Sequence, residues 1–265
     1  MKNIWNKAAC LLLASPLLFT ACEKNDSGTL EGAVPQTDFT TTIKPVGLTT
    51  EVTFTSTNAD AFLYQWSFGD GSVGTGKTVT HIYKKSGTVK AQLITAYRGG
   101  TSLSAVKDVV LPQNIDFVKQ LLTGSGSKTW MLNNAVDAPI VVGTEGNPSE
   151  YFNGVKAGGL PPCQADDEYT FTSAGVFTYN AKAETFVAGG VGCSTQRSGT
   201  SEFTFGPATG EGFAMFEFKK AGTFIGVTDA PDLTYRIIDI SDKSMLLRAG
   251  KPGGTVFQMK LVPKP

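Results

Sequence analysis

The chain has one histidine, His81, and four cysteines among 265 residues. A single imidazole and so few thiols cannot supply several zinc centres. Excess charge is also missing: 23 Lys and Arg stand against 23 Asp and Glu, a formal net charge of zero. Without a basic surplus there is little to neutralise a phosphate backbone, so nucleic acid is not an expected partner. Long runs of Ala, Leu and Glu are absent. Instead, 30 glycines and a 10% share of aromatics point to short strands joined by turns. The length allows one large or two ordinary domains, and 41% hydrophobic residues are enough to fill their cores.

Lys2 and Lys7 precede a stretch from Ala8 to Ala21 that is apolar apart from Ser15 and Thr20. It is too short to span a bilayer and reads as a signal peptide over residues 1–21. Leu18-Phe19-Thr20-Ala21-Cys22 resembles a bacterial lipobox, with Phe19 where an aliphatic residue is usual. The resemblance implies that Cys22 is acylated and becomes the new N-terminus, several acyl chains together giving a stable outer-membrane anchor. Glu23-Lys24-Asn25-Asp26 is similar to the acidic patch that accompanies surface export in Bacteroidota-type lipoproteins, which implies exposure at the cell surface. Residues 22–34 are Gly-rich and polar, as a flexible tether would be. Cleavage removes Cys10 and leaves Cys163 and Cys193 beside the acylated Cys22. In an oxidising compartment these two are expected to form a disulfide, and the C-x-x-C spacing of a reactive pair is absent.

Alternation then begins: Val52 and Phe54; Phe62, Tyr64, Trp66 and Phe68; Val89, Ala91, Leu93, Thr95 and Tyr97. Residues two apart share a strand face, so each run offers one apolar face to a core, and residues 35–112 are expected to form a β-sandwich. Tyr64-Gln65-Trp66-Ser67-Phe68-Gly69-Asp70-Gly71-Ser72, followed by Thr80-His81-Ile82-Tyr83, resembles the immunoglobulin-like PKD domain. Gly69-Asp70-Gly71 reads as a tight turn, with His81 as a hydrogen-bonded packing residue beneath it. With that imidazole used structurally, no base remains for a Ser-His-Asp or Cys-His device.

Residues 113–265 open with Ile115, Val118 and Leu122 at helical spacing, predicting a helix over 114–122 ended by Gly124. Tyr169 and Phe171 are separated from Phe177 and Tyr179 by Ser173-Ala174-Gly175, a hairpin signal. Further strands are predicted at Phe203–Phe205, Phe216–Phe218, Phe224–Val227, Tyr235–Ile237, Met245–Leu247 and Phe257–Leu261. Short Gly-containing connections favour an antiparallel meander, closed as a barrel or folded as a sandwich. The order helix, Gly-Ser-Lys-Thr-Trp strand, meander resembles lipocalin-like barrels, with a jelly roll as the alternative. The fold class is therefore all-β: a PKD sandwich followed by a lipocalin-like or jelly-roll domain.

Gly126-Ser127-Lys128-Thr129-Trp130, Asp166–Phe171 and Phe257–Leu261 also resemble a module found beside PKD domains in Bacteroidota surface lipoproteins, some of them laminarinases and related glycan-utilisation proteins. That resemblance implies polysaccharide, β-glucan included, as partner, together with a neighbouring glycan transporter or enzyme. Several such proteins carry a Trp-Trp pair after a Pro where this chain has Pro148-Ser149-Glu150-Tyr151-Phe152.

Sugar rings present flat C–H faces ringed by hydroxyls, so receptors pair aromatic plates with amides or carboxylates. The long loop from Asn133 to Pro162 carries such a set, and the glycan-binding candidates are Tyr151, Phe152, Glu150, Asn153 and, from the neighbouring strand, Trp130. Competing with this are Tyr151 and Phe152 as caps on an open barrel end and Trp130 as a core residue. Asp166-Asp167-Glu168 offers hard oxygen ligands, but three adjacent acids on a strand cannot all face one calcium ion, so Asp166 or Asp167 is read as a turn or salt-bridge group. A glycosidase needs two carboxylates held across the scissile bond. The Glu-x-Asp-x-x-Glu spacing of family 16 glycoside hydrolases is missing, and Asp239 and Asp242 have no partner motif. A phosphate-binding glycine loop and a zinc-helix motif are missing as well. No catalytic residue, metal or cofactor is assigned. The expected function is non-catalytic capture of extracellular polysaccharide for a glycan-uptake system. The rival readings are a structural or adhesive surface protein, and a lipocalin-like carrier of a small apolar ligand, which would need a deep apolar cavity.

Overall fold

Apolar alternation becomes strand only where the shared face finds a partner. The computed structural model describes residues 30–230 and 232–265; the expected signal peptide, Cys22 and the tether up to residue 29 lie outside the described residues. In the first module, β1 (Phe39–Val46), β2 (Thr49–Ser56), β3 (Leu63–Ser67), β4 (Val73–Thr75), β5 (Thr78–Tyr83), β6 (Gly87–Tyr97), β7 (Gly100–Leu103) and β8 (Lys107–Leu111) form two antiparallel sheets. One is ordered β1-β2-β5; the other is β4-β3-β6-β7, with β8 on the first half of β6. Their inner faces meet at Phe39, Val52, Phe54, Trp66, Phe68 and Leu93. Fully buried Trp66 lies between the Phe39 and Phe54 rings, at 5.3 and 5.5 Å, and its Nε1 donates to Gly76 O at 2.8 Å. Phe62 departs from the alternation: it precedes β3 and is 71% exposed.

The Gly-Asp-Gly turn needs glycine at its first position. Gly69 has φ +81°, and a Cβ there would run into the Lys90 carbonyl. His81 stacks on Phe68 at 4.3 Å, with its Nε2 2.7 Å from Asp70 Oδ2 and 3.1 Å from Ser72 Oγ. Burial alone would push the Asp70 carboxyl upward, but hydrogen bonds from Ser72 and His81 outweigh it and hold the pKa at about 2. The single imidazole is thus committed to fastening a turn.

Helix α1 (Ile115–Thr123) starts at Asn114, whose side chain accepts from Phe117 N and donates to Gly47 O at 3.1 Å, and it ends at Gly124. There follow β9 (Ser127–Leu132), β10 (Ile140–Gly143), α2 (Pro162–Ala165), β11 (Glu168–Thr172), β12 (Val176–Asn180), β13 (Glu184–Val187) and β14 (Gly192–Thr195). The last strands are β15 (Gly199–Gly206), β16 (Ala214–Phe218), β17 (Thr234–Ile240), β18 (Met245–Ala249) and β19 (Val256–Pro263). Antiparallel pairing runs β9-β11-β12-β15-β16-β17-β18-β19 and returns to β9 through Leu261 opposite Leu132. The sheet therefore closes as a barrel, and the jelly-roll alternative falls. β10 pairs with the first half of β19, while β13 and β14 form a separate hairpin.

A barrel of this size is just wide enough for side chains to fill. Tyr169, Phe171, Phe177, Phe216 and Tyr235 do so, all essentially without solvent exposure. Helix α1 plugs one end, where Val118 and Leu122 are buried and Trp130 Nε1 donates to Leu122 O at 2.9 Å. The other end is covered by the β10–β11 connection with α2, the β13–β14 hairpin and the β16–β17 connection. Phe224–Val227, expected as a strand, is irregular and buried within this cover. Ile225 N donates to Tyr235 Oη and Gly226 N to Tyr169 Oη, both at 3.0 Å, so tyrosine hydroxyls take the place of a β-ladder.

Cys163 and Cys193 are joined, fastening α2 to β14 across a sequence separation of 30. Replacing both with Ser should lower the unfolding free energy by about 3 to 4 kcal/mol in urea titration, through the entropy returned to the unfolded chain. Equal stability of wild type and double variant would contradict a constraint at this position.

Candidate functional site

Four of the five candidate residues, Glu150, Tyr151, Phe152 and Asn153, lie at the loop-covered end of the barrel. After β10 the chain turns sharply: Thr144 N and Glu150 N both donate to Asn147 O, at 3.0 and 3.1 Å. Phe152 then exchanges two backbone hydrogen bonds of 2.9 Å with Val142 as an isolated antiparallel bridge. Paired residues share a face. Phe152 therefore shares the face of Val142 and lines a cavity under the loop while remaining 44% exposed; Tyr151, whose N–H also donates to Val142 O at 2.9 Å, does not line the cavity and is 61% exposed. Glu150 and Asn153 are exposed beside it, and Thr144 Oγ1 donates to Glu150 Oε2 at 2.9 Å. Both rings reach solvent, and Phe152 alone also lines the cavity at the barrel mouth.

Trp130 does not join this set. It is fully buried, with its ring in the barrel core and its indole N–H given to Leu122 O, so it has no face to offer a sugar. Strand alternation put it inward, as the competing core reading held.

The loop is fastened by a charge network. Glu145 takes Arg236 in a bidentate pair, Nη1 and Nη2 each at 2.7 Å, and accepts from Arg248 Nη1 at 2.8 Å. Arg248 also reaches Glu211 at 3.0 Å and Gln258. The hydrogen bond from Arg236 holds the Glu145 carboxyl below its usual range against the opposing effect of burial, helped by the charges of both arginines. Arg236 and Arg248 are opposite each other on β17 and β18, facing away from the barrel interior. Strand parity places them there, but no sequence signal announces that Glu145 folds back to cover them.

The acidic run separates into three environments. Asp166 is exposed, and Glu168 pairs with Lys182 and with Lys264 at 2.7 Å. Asp167 is buried, neither a turn residue nor a salt bridge as expected; Tyr179 and Tyr169 hydroxyls donate to it at 2.9 and 3.1 Å. Burial pushes its carboxyl up to about 7, the tyrosine hydrogen bonds opposing. Among the described residues, no three His, Cys, Asp or Glu side chains gather as a metal site.

Comparison with known proteins places the first module. Residues 33–111 match the family model of the PKD domain. Among solved structures, the PKD1 domain of Vibrio anguillarum Epp aligns at 22% identity over 29% of this chain and 98% of its own, with a TM-score of 0.23. A carbohydrate-binding module from the β-sandwich superfamily aligns at 17% identity over 87% of this chain and 92% of its own, with a TM-score of 0.26. At those scores neither structure bears on what this chain binds. No curated protein matches it.

Two measurements check the electrostatics. Glu145→Gln should cost about 2 to 4 kcal/mol in chemical unfolding, because it leaves the buried Arg236 guanidinium without a carboxylate and Arg248 with Glu211 alone. Glu211→Gln, half-exposed, should cost no more than about 1 kcal/mol; equal losses would overturn the assignment. Asp167 is held above its unfolded-state value, so its contribution to stability is complete below about pH 4 and lost as pH rises through about 7. Asp167→Asn should flatten that decline, worth up to about 4 kcal/mol, in urea titrations from pH 4 to pH 8. An unchanged slope would place the titration elsewhere.

Proposed function

We propose that the mature chain is a lipid-anchored, surface-exposed outer-membrane protein that binds polysaccharide without cleaving it, the PKD domain serving as spacer and the barrel mouth as binding face. The observation that carries this reading is the exposed Tyr151 ring on a loop clamped at Glu145 and bridged at Phe152, flanked by Glu150 and Asn153. A rigid aromatic plate loses little freedom on stacking against a sugar, and adjacent amide and carboxylate groups are placed to meet its hydroxyls. Exposure of this loop favours glycan contact over the adhesive reading, which needs it buried. The lipobox-like segment ending at Cys22 supports the anchor.

Engagement of three carboxylates at this end of the barrel supports a non-catalytic role. Glu145 is held by two arginines, Glu168 by two lysines, and Asp167 by two tyrosines. No pair among these three is free to act as acid and nucleophile across a glycosidic bond.

Affinity gels cast with a panel of glycans, β-glucans included, test the reading on the mature chain lacking Cys22. Its polysaccharide should retard the wild type, and Tyr151→Ala should abolish the retardation, with Phe152→Ala weakening it less. If no glycan in the panel retards the wild type, the reading is wrong.

A further inference from the structure

Beneath Phe152 the barrel mouth holds an apolar cavity of about 450 Å³. Its floor is formed by Val142 and Phe257, interior-face residues of β10 and β19 that remain half-exposed because the cavity lies over them. Phe152, Phe186 and Val227 wall it from three different connections. The volume is within the range of small-molecule sites. It is also about three times that of an engineered apolar cavity which stays dry and takes up benzene.

The walls are fastened by independent ties. The disulfide holds α2 to the hairpin, Gln164 Nε2 donates to Gly226 O at 2.7 Å, Ala188 N donates to Thr228 Oγ1 at 3.1 Å, and Phe152 is bridged to Val142. A soft apolar void would collapse to regain lost packing; these ties hold it open. Polar groups at its surface are few. Gln164 is 4% exposed, and among the described residues its Oε1 accepts no hydrogen bond, which leaves one acceptor in the wall. Asp229, exposed at the rim, adds a negative charge that disfavours an anionic head group.

We infer that this cavity binds a small apolar molecule of two to three rings, or an equivalent aliphatic chain, carrying one uncharged hydrogen-bond donor that Gln164 Oε1 accepts. The ligand enters from the rim, its apolar body replacing the missing contacts of Val142, Phe257 and Phe186. This site is separate from the Tyr151 face, and neither reading requires the other.

N-phenyl-1-naphthylamine, three aromatic rings with one N–H, is the probe, titrated into the mature chain lacking Cys22. Its fluorescence should rise saturably with one molecule per chain. Ala188→Phe, which fills the cavity from the hairpin, should weaken binding at least tenfold with the thermal melt unchanged. Val155→Trp fills it from the loop side and serves if the first variant does not fold. Tyr151→Ala should bind the probe as wild type does. Dodecanol should displace the probe, and dodecanoate at pH 7 should need at least tenfold more. Absence of saturable binding, equal binding by a folded cavity-filled variant, or equal displacement by dodecanoate would overturn the inference.

Discussion

Pairing of the last strand with the first closes the second module. Once Leu261 lies opposite Leu132, no strand of that circuit is left as a free edge, and the apolar side of every strand must be packed inside. The interior is filled by Trp130 and a set of Phe and Tyr rings. One end is occupied by α1, which is tied to the PKD domain through Asn114 and Gly47. What can vary without disturbing the wall is the other end. Closure of the sheet thus decides where a binding surface can be built.

That end is organised by four kinds of bond, none of them a regular ladder. A covalent bridge, a charge network and one isolated β-bridge fasten the β10–β11 connection at three points, the first tying it to the β13–β14 hairpin, and tyrosine hydroxyls hold the β16–β17 connection and Asp167. The result is a cover with irregular backbone and few unsatisfied polar groups, the condition under which loops can be buried at all. It also separates two surfaces within one short segment. Tyr151 meets solvent alone, whereas Phe152 meets both solvent and the cavity.

Much of this was legible in the sequence because strand periodicity is strict. Trp66, Phe68, Tyr169, Phe171, Phe177 and Phe216 were readable as inward residues, and Asn114 and Gly124 as the ends of a helix. The PKD turn could be read from its glycines and from the single histidine beside it. Failures came where apolar content and strand pairing part company. Phe224–Val227 is as hydrophobic as a strand, but its partners are hydroxyls on β17 and β11. Phe62 continues an alternation whose strand has not yet begun. Glu145 was unreadable as the partner of two buried arginines because they lie 91 and 103 residues away, and Asp167 was unreadable as a buried group because its charge run suggested a solvated face although its tyrosine partners are close in sequence. Trp130 could be read both ways, and strand parity decided it.

The tyrosine-bound loop has a dynamic consequence. By its backbone angles Phe224–Val227 is a connection, and connections usually exchange their amide protons quickly. Here the amides of Ile225 and Gly226 are held by hydroxyls whose rings are embedded among barrel strands. Releasing them means moving Tyr235 and Tyr169, which open only when the barrel opens. This stretch of irregular chain belongs to the barrel's cooperative unit and shares its protection against exchange, so the floor of the mouth moves on the timescale of the core rather than of the surface.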